Sequence, residues 1–234
     1  MVVSETDIIK EFFERQEVPL WGIADLSDAG FIYLPADAVK RFRVGIVYVF
    51  PLSDGVINTL SDGLKGTAPN LLYLHHYRQV NYFLDRVGLL LSRFLQSKGY
   101  ESLPVPASQM VDWEKQAGHL SHKRLAVSAG LGWIGRNNLL VTPEFGSRIR
   151  LATVLTAAPL SVGTPVPFGC GDCHKCLSRC PAAAIKEKPD SFDHQACFSF
   201  IKTVCNRKNL SQHICGLCLC PFPKGTPNGY SRKT

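Results

Sequence analysis

The first 169 residues of this 234-residue chain contain no cysteine, and all nine cysteines follow from Cys170 onward. So uneven a distribution marks a change of character along the chain. Other absences narrow the function classes. No apolar run reaches the roughly 18 residues that a membrane-spanning helix needs, so no membrane association is expected. The opening stretch, "MVVSETDIIKEFFERQ", carries acids where a signal peptide has a basic and then an apolar region, and no twin-arginine pair is present. A cytoplasmic protein is expected, and there thiols stay reduced and grouped cysteines serve metals rather than disulfides. No run of five like charges occurs, so the net charge of +7 reads as a solvated basic surface rather than a nucleic-acid patch. Each four-cysteine iron–sulfur site would add roughly two negative charges and offset much of it. With 45% hydrophobic and 19% charged residues, the chain is not a disordered one.

What is present organises as an α+β fold with a mixed sheet. "SETDIIKEFFER" (4–15) has a cap followed by acids, as a helix start should. "VGIVYVF" (44–50) is apolar throughout and suits a strand buried on both faces. "PLSDGVINTLSDGLKGTAPN" (51–70) reads as loop. Val80, Phe83, Leu84, Val87, Leu90, Leu91 and Phe94 share one helical face that Gly99 terminates. "HLSHKRLAVSA" (119–129) reads as a second helical stretch, and "NNLLVT" (137–142) and "IRLATVLT" (149–156) as strands. The segment "APLSVGTPVPFG" (158–169) suits a linker, which gives domains at 1–160 and 161–234.

The cysteines then carry chemistry. "CGDCHKCLSRCP" sets Cys170, Cys173, Cys176 and Cys180 at gaps of two, two and three, followed by Pro181. This is the bacterial ferredoxin run for a four-iron cluster. Its short gaps bring three thiolates to one cubane, and its fourth cysteine ligates the other cluster of a pair. Zinc is the alternative, since two-residue gaps also form tetrahedral sites. Two cubanes need eight ligands. One set is Cys170, Cys173, Cys176 and Cys220, and the other is Cys180, Cys197, Cys215 and Cys218. Cys205 is then left over as a small buried residue, although Cys205 and Cys220 compete for the last place. His174, inside the run, is expected to tune a cluster rather than ligate it.

"AGLGWIG" places Gly130, Gly132 and Gly135 in the spacing of a dinucleotide fingerprint. That fingerprint needs a strand before it, a helix after it and an acid about 20 residues on. Here a helix precedes, a strand follows, and "LATVLTAAPL" (151–160) holds no acid. A Rossmann site is not expected, and the glycines mark either a tight turn or a wall against a flat ligand.

These stretches together, "LAVSAGLGWIGRNNLLVTPEFGSRIRLATVLT", "CGDCHKCLSRCPAAAI" and "FDHQACFSF", resemble the epoxyqueuosine reductase family over roughly residues 75–222. Those enzymes are akin to the reductive dehalogenases. The resemblance implies a nitroreductase-like domain followed by a small ferredoxin-like domain, with cobalamin and two [4Fe–4S] clusters as cofactors. It implies that Gly132, Trp133, Ile134, Gly135, Arg136, Asn137 and Asn138 touch the corrin, and that electrons pass from the clusters to cobalt. An external donor such as a ferredoxin or flavodoxin would load the clusters, and a small molecule or corrinoid would be the substrate.

Three departures qualify the resemblance. Counted without gaps, the family's catalytic aspartate falls on Gln116, which cannot donate a proton as a carboxylic acid does. The chain ends soon after its last cysteine, without the helical-repeat extension of many members, which weakens a tRNA substrate. "CGLCLCP" is two residues shorter than the family's last cysteine motif. His119 and His122, close to Gln116, are the candidate proton donors because histidine titrates near neutral pH. Asp112 is a further carboxylate nearby. His75 and His76 are expected to precede a long helix, and Tyr77 and Tyr82 either to pack in a core or to line a pocket. The alternative function is a non-enzymatic, ferredoxin-like electron carrier that docks on a partner oxidoreductase.

Overall fold

The computed structural model describes residues 5–26, 33–60 and 66–219. In chain order it forms α1 (Glu5–Arg15), β1 (Leu20–Asp25), α2 (Ala36–Val39), β2 (Val44–Pro51), α3 (Asp54–Asn58), α4 (Ala68–Ser97), β3 (Ser102–Val105), α5 (His122–Ser128), β4 (Trp133–Ile134), β5 (Leu140–Val141), β6 (Ile149–Thr156), a 3-10 turn (Pro189–Ser191) and α6 (His194–Arg207). The class is α+β. Contacts divide the chain into two compact units, each discontinuous in sequence. Residues up to 50, 80–132 and 150–166 make the first, and residues 51–79, 133–149 and from 167 onward make the second.

The first unit is built on a four-stranded sheet in the order β1-β2-β6-β3. Leu20 pairs with Val49 and Asp25 with Val44, so β1 runs antiparallel to β2, and β3 runs antiparallel to β6 from Ser102–Thr156 to Val105–Thr153. The central strands β2 and β6 are buried along almost their whole length. The reason is that both faces of the sheet are covered. A Cβ on Gly45 of β2 would stand 3.6 Å from Leu125 of α5. Three residues on, Tyr48 points to the other face and donates its hydroxyl to the Leu84 carbonyl of α4 at 3.0 Å. Strand side chains alternate between faces, so a strand covered on both must be apolar at every position. Burial pushes the Tyr48 phenol above its ordinary range, with Asp85 adding to the effect. Phe13 of α1 completes this side, stacking on Trp21 at 5.3 Å and tilting against Tyr48.

On α4, Val80, Leu84, Val87 and Leu91 are buried, while Phe83, Leu90 and Phe94 are half-buried. The helix ends at Gly99 in the left-handed region (φ 85°), where the Tyr100 amide turns back onto the Leu95 carbonyl. Its start corrects the sequence reading. α4 begins at Ala68, so His75 and His76 lie inside the helix rather than before it. His76 accepts the Ser53 amide at 2.9 Å, which ties α4 to the entry of α3 within the second unit. The stretch 51–70 is accordingly not all loop, since it holds α3 and the first turn of α4. Tyr77 is buried against Tyr73 in an edge-on contact, while Tyr82 is 63% exposed.

The second unit contains the β4–β5 hairpin, α6 and the cysteine segments. Lys208, just after α6, reaches the Asn70 side chain and the Gly66 carbonyl near the start of α4, and Arg78 donates to Ser211 at 2.8 Å. Among the described residues, no helix is long and apolar enough to cross a membrane.

Candidate metal centre

The segment "CGDCHKCLSRCPAA" folds as a string of tight turns. The Cys173 amide returns to the Cys170 carbonyl at 2.9 Å, Leu177 to His174, Cys180 to Leu177 and Ala183 to Cys180. Gly171 and Ala183, at φ 46° and 48°, supply the left-handed steps that such a coil requires. Cys170, Cys173, Cys176 and Cys180 are all half-buried and outside any disulfide. Further along, Asp193 caps α6 by accepting the Ala196 amide at 2.9 Å. Cys197 sits in the first turn of that helix and Cys215 and Cys218 lie in the turns beyond it, again half-buried and outside any disulfide.

Electrostatics shows which thiols are neighbours. Burial raises the Cys197 thiol, and Cys180 and Asp193 raise it further. Burial pushes Cys215 up to about 11, a Leu217 amide hydrogen bond opposes this, and Cys197, Cys180 and Cys205 add to it. Cys180, Cys197 and Cys215 therefore occupy one neighbourhood, three of the four residues expected as one ligand set. Cys205 is fully buried beside them and directs its thiol at the Ile214 carbonyl at 3.5 Å. Cys220 lies outside the described residues. Among the described residues, no three His, Cys, Asp or Glu side chains converge as ligands of a single ion would. A cubane takes each thiolate on a different iron and asks for no such convergence. The donor set fits four-iron clusters on that chemistry: half-buried thiols, outside any disulfide, grouped on short turns.

The turn at the tip of the β4–β5 hairpin organises this region. Gly135 and Leu139 close it, with the Gly135 amide on the Leu139 carbonyl at 2.9 Å, and Asn138 takes a left-handed φ of 57°. From this turn the side chains of Arg136, Asn137 and Asn138 fan out. Arg136 donates to the carbonyls of Glu187 (2.7 Å), Gly171 (2.9 Å) and Cys173 (3.1 Å), and its guanidinium lies 5.5 Å over the Phe168 ring. A planar fork with five donors suits three carbonyls at once. Buried Asn137 donates to the Cys218 carbonyl at 3.0 Å and to Ser147, and accepts the Leu139 amide. Asn138 meets His194 at the start of α6 at 3.0 Å. Trp133, buried at the hairpin's first strand, directs its indole N–H at the Cys170 sulfur at 3.2 Å. Gly135 lies in this turn, with Ile134 half-buried before it. Sequence reasoning singled out this turn but missed its link to the cysteines, which no local pattern reveals. His174 bonds Glu187 at 2.7 Å on the surface.

The first half of the glycine-rich stretch belongs to the first unit. Gly130 has φ 77°, and a Cβ there would fall 2.4 Å from the Thr164 carbonyl. It is therefore a close-packed turn. Gly132 follows and is buried.

The proton-donor candidates lie in the first unit. α5 begins at His122 with Ser121 as its cap, so His119 stands before the helix rather than one turn along it. His119 meets Gln109 Oε1 at 3.0 Å and the Tyr33 carbonyl at 3.4 Å. His122 meets Thr153 Oγ1 at 2.8 Å and the Pro106 carbonyl at 3.0 Å. Desolvation pushes His122 down to about 4; the Pro106 bond opposes this, and the charges of Arg150 and His119 add to it. Asp112 accepts the Lys115 amide at 2.8 Å and the Tyr33 hydroxyl at 3.0 Å, and these bonds hold its carboxyl below the usual range. Gln116 sits at φ 53° in the same loop, which the Asp112–Ala117 bridge closes.

No family model matches the chain. An epoxyqueuosine reductase of Gloeobacter violaceus is 33% identical over an alignment of 158 positions, with 56% of this chain and 49% of that protein covered. This chain is similar to the epoxyqueuosine reductases. Among solved structures, an epoxyqueuosine reductase with an epoxyqueuosine-modified tRNA-Tyr stem loop superposes with a TM-score of 0.60 at 22% identity, covering 92% of this chain and 65% of that one. A reductive dehalogenase, described with a mechanism for B12-dependent dehalogenation, superposes with a TM-score of 0.68 at 19% identity, covering 91% and 30%. The fold of the epoxyqueuosine reductases and reductive dehalogenases is thus the fold of this chain. The chain spans about half the length of the curated relative.

Proposed function

We propose that this chain is a redox protein of the epoxyqueuosine reductase type, with residues 1–160 holding a corrinoid and residues 161–234 holding two [4Fe–4S] clusters. The ligand sets are Cys170, Cys173, Cys176 and Cys220 for one cluster, and Cys180, Cys197, Cys215 and Cys218 for the other. The observation that carries the proposal is the set of half-buried thiols, outside any disulfide, whose loops are pinned by the Trp133–Asn138 turn. The similarity to epoxyqueuosine reductases supports the same cofactors. When bound, the clusters supply one-electron transfer and the corrinoid supplies the reducing centre for the substrate.

The chain's own residues hold, position and protonate. Arg136 and Asn137 fix the backbone that carries the thiolates. Gln116 stands where the family's aspartate falls, and Asp112 stays ionised, so neither delivers a proton. His122 is kept neutral by burial. His119 is the remaining donor, half-buried and engaged through both ring nitrogens. An external donor of the ferredoxin or flavodoxin class would supply electrons, and a small molecule or corrinoid would receive them. The absence of a carboxylic acid at Gln116 argues against epoxyqueuosine in tRNA as the substrate and keeps a ferredoxin-like carrier as the second reading.

Anaerobic reconstitution with iron and sulfide, followed by titration with cobalamin, tests both halves. About eight irons per chain and a shifted corrin spectrum are expected. Clearly fewer irons would sink the two-cluster reading, and full iron with no corrinoid binding at micromolar concentrations would leave the carrier.

A further inference from the structure

The indole N–H of Trp133 is aimed at one particular sulfur, that of Cys170, at 3.2 Å. The ring is 6% exposed, so water does not compete for the donor. Its placement is built in. Gly169, the residue before the cysteine, presents its bare backbone to the ring, and a Cβ there would meet three indole carbons at 2.7 to 2.9 Å. Beside it, Arg136 brings a positive charge to the carbonyls of Gly171 and Cys173 in the same loop. Both groups act on the Cys170–Cys173 turn.

A donor directed at a thiolate ligand stabilises whichever state of the cluster is more negative. Reduction adds one electron and makes the cluster one unit more negative, so the bond strengthens on reduction and the potential rises. We propose that Trp133 sets the reduction potential of the cluster held through Cys170, raising it above the value that cluster would otherwise have. The inference rests on the two-cluster reading given above. Its consequence is that the Cys170 cluster holds an electron more readily than it would without the indole donor.

The test uses the full chain, reconstituted anaerobically and titrated with dithionite as the one-electron reductant while electron paramagnetic resonance follows each cluster. Trp133→Phe keeps an aromatic ring against Gly169 and removes the donor. At a fixed potential, the ratio of reduced to oxidised Cys170 cluster is expected to fall about tenfold, ~59 mV for a one-electron couple. The other cluster should keep its potential, and the iron content should match the unsubstituted chain. Gly169→Ala keeps the indole but drives it from the sulfur, and should shift the same cluster in the same direction. Unmoved potentials in a fully loaded Trp133→Phe chain, or equal shifts of both clusters, overturn the inference. Should that variant load less iron, Gly169→Ala decides, and an unmoved potential there overturns it. An unsubstituted chain that takes up no cluster would sink the two-cluster reading instead.

Discussion

His122 illustrates how burial converts a candidate catalyst into a pH-sensitive part of the scaffold. Desolvation lowers its pKa to about 4, below the value near 6.5 of an unfolded chain. Between those two values the unfolded chain binds a proton that the folded one refuses. Stability is therefore complete above about pH 6.5 and is lost as the pH falls toward 4, by up to roughly 3 kcal/mol. Urea midpoints of the full chain at pH 7.5 and pH 5 should show this loss, and His122→Asn should flatten it. An unchanged slope in the variant would mean that another group carries the acid sensitivity. The residue was legible in sequence as a histidine near the right place. Its partners, Thr153 and Pro106, lie 31 and 16 positions away and left no local trace.

The helix α4 and the β4–β5 turn give predictions at the scale of elements. On α4, Leu84 is fully buried and Tyr82 is 63% exposed, two positions apart. Leu84→Ala should cost about 2–5 kcal/mol through transfer and cavity terms, while Tyr82→Ala should stay within about 0.5 kcal/mol. Denaturant unfolding of the two variants checks the contrast, and equal losses would mean the assigned face is wrong. For the turn, Arg136→Ala should speed the loss of iron to a chelator several-fold with helix content unchanged by circular dichroism. Arg136→Lys should not restore retention, because a single ammonium cannot span the three carbonyls that the fork reaches. Retention equal to the unsubstituted chain in Arg136→Ala would show that the loop holds its shape unaided. The sequence reading found α1, β2 and β6 nearly to the residue, because amphipathic spacing and unbroken apolar runs are local signals. β1 and β3 escaped it. Both are edge strands, one holding Gly22 and the other Pro104, and their pairing is decided by partners far along the chain. The early start of α4 escaped for a related reason, since His75 and His76 look like a break until tertiary contacts hold them in the helix.

For the whole molecule, the concentration of cysteine after residue 169 marks the stretch that the proposed clusters would use. The spacing within "CGDCHKCLSRCP" is what points to four-iron clusters. What spacing could not tell is that the residues holding this segment come from elsewhere in the chain. The second unit gathers residues 51–79 and 133–149 with the stretch from 167 onward. A fragment beginning at residue 161 should therefore load much less iron per chain than the full protein under identical reconstitution. Equal loading would show that the cysteine segment organises itself.

That interleaving also bears on the order of events during synthesis. The ribosome delivers Trp133, Arg136 and Asn137 before the first cysteine appears, so the hairpin is already outside the tunnel when the thiols emerge. Cys170, Cys173 and Cys218 then meet partners that were made first. A chain rearranged so that its cysteines came first would lose that order while keeping every contact of the finished fold.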